Sequence, residues 1–162
     1  MGVFHYKLSL LPRAYFEHEV PASLSGVEIE RGGWWAAHVP SERLLSALRT
    51  LLPRDQSWGE VEEYVSGGDF SSDVRIWKDA GRVDGIEFRF SPVGDDWSLM
   101  QQLIRIAGDE RCVLIEDESG LVLDADEEVV RKHFASSRAA EFLRDPSGTI
   151  VRAARELEDD AG

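Results

Sequence analysis

The clearest alternation of apolar and polar positions lies between Asp73 and Leu123. Val74 and Ile76 alternate with Arg75 and Trp77. After Lys78-Asp79-Ala80-Gly81-Arg82 the alternation resumes, with Ile86, Phe88 and Phe90 on one side of the chain and Glu87 and Arg89 on the other. A period of two belongs to a half-buried strand, so the two runs are predicted to form an antiparallel hairpin. Gly81 supplies the positive φ that a short hairpin loop needs and pins the register. Further on, Trp97, Met100, Leu103, Ile104 and Ala107 recur at helical spacing, with Asp95 or Asp96 as N-cap and Gly108 where a C-terminal stop belongs. Cys112-Val113-Leu114-Ile115 is apolar without alternation, as in a strand buried on both sides. Glu118-Ser119-Gly120 turns it towards Leu121-Val122-Leu123. The order read from this stretch is β-β-α-β-β.

Elsewhere the patterns are shorter. Phe4, Tyr6, Leu8 and Leu10 alternate with His5, Lys7 and Ser9 and read as a strand that Leu11-Pro12-Arg13 breaks. Residues 14–20 fit a short helix or an extended segment, 21–26 a loop, and Val27 to Glu30 a short strand. Ser41, an N-cap after Pro40, opens a helix whose Leu44, Leu45, Leu48, Leu51 and Leu52 form one narrow stripe until Pro53. Burying those leucines is worth roughly 1.5–3 kcal/mol each, which places the helix on the core. Residues 58–66 are too mixed to assign. Past Leu123, an acidic first turn from Asp124 to Glu128 leads into a helix through Val129, Val130 and Phe134. A further short helix runs to Pro146, and Ile150, Val151, Ala154 and Leu157 mark a last amphipathic one. The fold class expected is α+β: a single domain over residues 1–157, a mainly antiparallel sheet with helices packed on one face, and an acidic tail at 158–162 expected to be disordered.

A chain of 162 residues buries roughly 70% of its unfolded surface, enough for a core without staples. The lone cysteine, Cys112, sits inside an apolar run and reads as a buried thiol in a reducing compartment. With no secretory leader pattern and no apolar run long enough to span a bilayer, the expected location is cytoplasmic. Gly2 raises myristoylation, but Tyr6 stands where Ser or Thr is wanted.

Net charge changes the picture more. Of the total of −13, residues 1–81 carry 8 Lys+Arg against 12 Asp+Glu, and residues 82–162 carry 10 against 19; Asp109 to Glu128 alone holds nine acids and one base, Arg111. Such a field repels nucleic acid and anionic membrane, and attracts a basic protein surface within a Debye length of about 8 Å.

Catalytic signatures are missing from the sequence. His5, His18, His38 and His133 show no paired spacing, one cysteine does not suit a zinc site, and no Gly-x-Ser-x-Gly elbow occurs. Gly32-Gly33 lacks both the P-loop ending and dinucleotide spacing, which leaves a tight turn. Asp124-Ala125-Asp126 begins a calcium-loop pattern that Glu127-Glu128-Val129 abandons. No catalytic residue, metal or cofactor is therefore assigned. The candidate partner-binding residues are Glu116, Asp117, Glu118, Asp124, Asp126, Glu127 and Glu128, with Trp34 and Trp35. The acids read equally as a solvated turn and a helix start. On a strand the two tryptophans would point to opposite faces, and an exposed one would be a recognition anchor; otherwise both pack in the core.

Asp73-Val74-Arg75-Ile76-Trp77, Ile86-Glu87-Phe88-Arg89-Phe90, Cys112-Val113-Leu114 and the run from Ser136 to Pro146 together resemble small bacterial proteins, some of them immunity proteins of polymorphic toxin systems. The likeness covers about half the chain and lies in packing residues. It implies a non-catalytic inhibitor of a cognate toxin domain, often a basic nuclease, and assigns no functional residue. Two other readings stand beside it: an enzyme or small-ligand protein with a cleft between the sheet and the 41–52 helix, and a homo-oligomer formed through the Asp73 to Phe90 hairpin edge.

Overall fold

The hairpin forms as its alternation requires. In the computed structural model, which describes residues 4–55 and 57–162, Asp73–Asp79 and Arg82–Phe90 pair antiparallel around the two-residue loop Ala80-Gly81. Both loop residues have positive φ, the signs of a type I′ turn. Gly2 lies outside the described residues.

The chain runs β1 (Tyr6–Pro12), α1 (Gly26–Arg31), α2 (Glu42–Leu51), β2 (Val61–Val65), β3 (Asp73–Asp79), β4 (Arg82–Phe90), α3 (Trp97–Asp109), β5 (Cys112–Glu116), β6 (Val122–Leu123), α4 (Glu127–Ala135), α5 (Arg138–Arg144) and α6 (Pro146–Asp160). The strands form one antiparallel sheet in the order β2-β3-β4-β1-β5-β6, a single-domain α+β fold. The β-β-α-β-β order of residues 73–123 is present, and β1 fills the gap between its two halves.

One face of the sheet meets helices. Tyr6 touches His133 and Phe134 of α4, Phe90 packs on Trp97 of α3, and Glu62 of β2 holds Arg49 of α2. By register the opposite face carries Lys7, Ser9, Glu63, Asp73, Arg75, Glu87 and Arg89. Every residue of β5 is buried, as its unbroken apolar run implies, and Cys112 is a buried free thiol. Burial pushes that thiol up to about 12, helped by the nearby Glu110 charge.

Several expectations need correction. Val27 to Glu30 is helical because Ser25 builds a capping box: its hydroxyl accepts from the Glu28 N–H, and Glu28 reaches back to the Ser25 N–H at 2.7 Å. The unassigned 58–66 stretch supplies β2, and the first strand continues through Pro12. The left-handed residue that ends α3 is Arg111, with φ 53, while Gly108 is an ordinary helical residue. α6 continues to Asp160, across the start of the expected frayed tail. The Asp73 to Phe90 hairpin is no edge, since β2 pairs outside β3 and β1 outside β4, so it offers no open edge through which a second copy could pair. At the true margins, the Ser23 to Leu121 bridge and the Val122 N–H to Ala22 carbonyl bond cover β6. The Arg54 to Tyr64 bridge and the Val65 N–H to Pro53 carbonyl bond cover β2.

Gly120 locks one of these covers in place. Its φ is +73°, and a Cβ there would lie 2.4 Å from the Leu24 carbonyl oxygen. Gly120→Ala is expected to cost at least about 2 kcal/mol in urea unfolding, from left-handed strain and overpacking together. Gly26→Ala, with nothing within 4 Å of its added Cβ, should stay within about 0.5 kcal/mol of wild type. Equal effects of the two would contradict this account.

Candidate functional site

The seven acids singled out above do not form one patch. Leu114 pairs with Leu123 and Ile115 with Val122, so the turn acids and the helix-start acids sit at opposite ends of the β5–β6 pair. Glu116 is buried and tied up in its own turn, accepting from the N–H groups of Glu118 and Ser119 and from the Ser119 hydroxyl. Glu118 pairs with Arg138 at 3.1 Å and Asp124 with Arg13 at 2.8 Å. Asp126 caps α4 through the Val129 N–H. Glu127 accepts from Gln101, Trp97 and Arg131, and the Gln101 and Arg131 bonds hold its carboxyl below the usual range. Glu128 alone of the set is exposed without a partner among the described residues.

Asp117 is different in kind. It accepts from the Ser9 hydroxyl at 2.8 Å on the polar sheet face. Burial pushes its carboxyl from 3.8 up to about 6; the charges of Glu87 and Glu116 add to the rise, and Ser9 and Lys7 oppose it.

Neither tryptophan is an exposed anchor. Trp34 is 8% and Trp35 4% exposed, and residues 34–38 form turns and bends rather than a strand. Gly32 and Gly33, with φ of 57° and 76°, reverse the chain so that the two rings still diverge. Trp35 Nε1 donates to the Leu10 carbonyl at 3.1 Å. Trp34 meets Tyr15 edge to face, with centroids 5.0 Å apart.

Each tryptophan walls a cleft. The first, about 420 Å³, joins Tyr15, Phe16 and Trp34 to Glu17, Glu19 and Glu28, with His18 and Arg31 also at its lining. Tyr15 stacks edge to face on Phe16 as well, at 5.2 Å, and stays well exposed. Both Ser25 bonds to Glu28 fall on Oε2, leaving Oε1 unengaged among the described residues. Across the Phe16 to Pro21 segment lies an adjoining cleft that includes Arg13 and Asp124. Aromatic faces beside three carboxylates suit a cation, since ring quadrupole and charge attract it together. The acids of this cleft escaped sequence reading because residues 14–20 were ambiguous and 27–30 read as a strand. The density of rings and acids in Tyr15-Phe16-Glu17-His18-Glu19 was the available signal.

The second cleft, about 530 Å³, lies where the alternative reading put one, between the sheet and α2. Trp35, Val39, Leu45 and Val83 form apolar walls, and Arg49, Lys78 and Arg82 converge on it. Among the described residues no three metal-ligating side chains gather, and no helix is long and apolar enough to cross a membrane.

No family model, curated protein or solved structure matches this chain.

Because Asp117 ionises with more difficulty folded than unfolded, it costs stability as pH rises from about 4 through about 6. The cost is at most about 3 kcal/mol, lowered by solvent screening. Asp117→Asn keeps an acceptor for Ser9 and should raise stability by about 1–2 kcal/mol near pH 7.5, with little gain near pH 3.5. Urea melts of both proteins across that range check it; parallel pH curves would contradict it.

Proposed function

We propose that the protein is a non-catalytic acidic binding module that neutralises a basic protein partner, as an immunity protein neutralises its toxin domain. The observation that carries this reading is the first cleft, where Tyr15, Phe16 and Trp34 stand beside Glu17, Glu19 and Glu28 in a chain of net charge −13. A Lys or Arg of the partner would enter it, stacked on the exposed Tyr15 and paired with the carboxylates. Such contacts are worth about 0.5–1 kcal/mol at exposed rings and about 2 kcal/mol or more once desolvated. Asp124 lies in the adjoining cleft but is paired there with Arg13, so the docking acids of this reading are Glu17, Glu19 and Glu28 rather than the seven named from the sequence. The long-range field would speed encounter, and the cleft would set residence time.

The test uses the polypeptide encoded beside this gene, in particular a variable C-terminal domain of a large exported protein, with association followed by stopped flow. Association should slow as salt rises. Glu17→Gln/Glu19→Gln and Tyr15→Ala should each weaken binding by about tenfold or more. The charge-matched Glu158→Gln/Asp159→Asn should change it by less than about threefold. Equal loss from both charge pairs would reduce the acids to a general field, and an unchanged affinity in all three would remove the proposal.

A further inference from the structure

The second cleft gathers positive charge on a negative protein. Arg49 and Lys78 both reach Glu62: Arg49 donates through Nε at 3.0 Å and a terminal nitrogen at 3.1 Å, and Lys78 forms an ion pair with it. Tyr64 donates to the same carboxylate at 2.9 Å. The Arg49 guanidinium, seconded by Lys78 and Tyr64 against the effect of burial, holds Glu62 down at about 2. Glu62 is thus charged throughout the physiological range, and it fixes two cations at the cleft without using all their donors. Arg82, at the hairpin tip, makes no ion pair among the described residues. Glu42 is the one carboxylate in the lining.

The rest of the cleft is apolar. Trp35, Val83 and Leu45 of α2 line it, and Val39 stands at the rim 83% exposed. A volume of about 530 Å³ falls in the range of roughly 300–1,000 Å³ usual for small-molecule sites. Apolar walls with cations at one side match a molecule having an apolar body and one anionic end.

We propose that this cleft binds a small amphipathic carboxylate, its apolar body against Trp35, Val39, Leu45 and Val83 and its carboxylate on Arg82 and Lys78. The site is separate from the aromatic cleft, since Trp34 and Trp35 face different clefts, and it stands whether or not the docking function does.

Isothermal titration of the whole chain with decanoate and decanol tests the proposal. Decanoate should give a single saturable isotherm, and decanol should bind at least about tenfold more weakly, because only the carboxylate gains charge-assisted hydrogen bonds. Arg82→Ala, at an exposed hairpin tip where folding is undisturbed, should weaken decanoate at least about tenfold. Val39→Glu, at the exposed rim, should weaken it similarly by placing a second carboxylate there. Glu17→Gln/Glu19→Gln should leave decanoate binding as it is, which separates this site from the docking surface. Decanol binding as well as decanoate, full affinity in Arg82→Ala, or no saturable decanoate binding at millimolar concentration would each overturn it.

Discussion

The Leu10 carbonyl is the constraint from which the functional end of the molecule follows. On β1, the Asp117 N–H to Lys7 carbonyl bond and the Arg13 N–H to Arg111 carbonyl bond set which residues face β5. By the alternation of an antiparallel ladder, Leu10 points its backbone groups the other way, towards β4. The β1–β4 pairing stops at Ser9 and Glu87, however, and β4 diverges past Gly85, beside the bulge at Trp77 and Lys78. A buried carbonyl left unpaired costs about 1–3 kcal/mol. Trp35 meets the need with its indole N–H. That bond pins the Gly32 to Pro40 loop to the sheet, and with it Trp34 against Tyr15 on one side and the apolar wall of the cationic cleft on the other.

Charge on the solvent-facing side of the sheet is settled locally. Across the strands, Glu63, Arg75 and Glu87 lie in one row, and Asp73, Arg89, Lys7 and Asp117 in the next. Arg75 bonds Glu63 within one row and Arg89 bonds Asp73 within the other, and Arg75 also pairs with Asp73 at 3.4 Å, which links the two rows. Trp77 donates to Glu87 and Trp58 to Glu63, which uses the indoles as further polar partners. The excess negative charge of the chain therefore belongs to its loops and helix ends.

Much of the fold was legible in the sequence and little of the site was. The hairpin and α2 rest on a strong local period with agreeing end signals, α3 on its period and N-cap but not on Gly108, and β5 on an unbroken apolar run, so there pattern and structure coincide. Val27 to Glu30 misled because alternation over four residues is weaker than the Ser25 and Glu28 capping box, itself visible three residues apart. The acids from Glu116 to Glu128 drew attention by density, but density along a chain carries no information about facing. Strand pairing sent them to opposite ends, and Arg13, Arg138 and Arg131 came from distant or helical positions to meet them. The first cleft draws its lining from one stretch, Tyr15 to Trp34, whose loop and short helix bring rings and acids together; the second takes side chains from residues 35–49 and 78–83, a convergence that no short window of the sequence contains.

Both margins of the sheet are occupied by the protein's own flanking chain, residues 53–55 along β2 and 22–24 along β6. Among the described residues the outer rungs of β2 and β6 are taken by the chain itself rather than left to a visiting peptide that would complete the ladder through its main chain. The same pairing keeps those two strands from presenting a bare edge to crowded copies of the molecule.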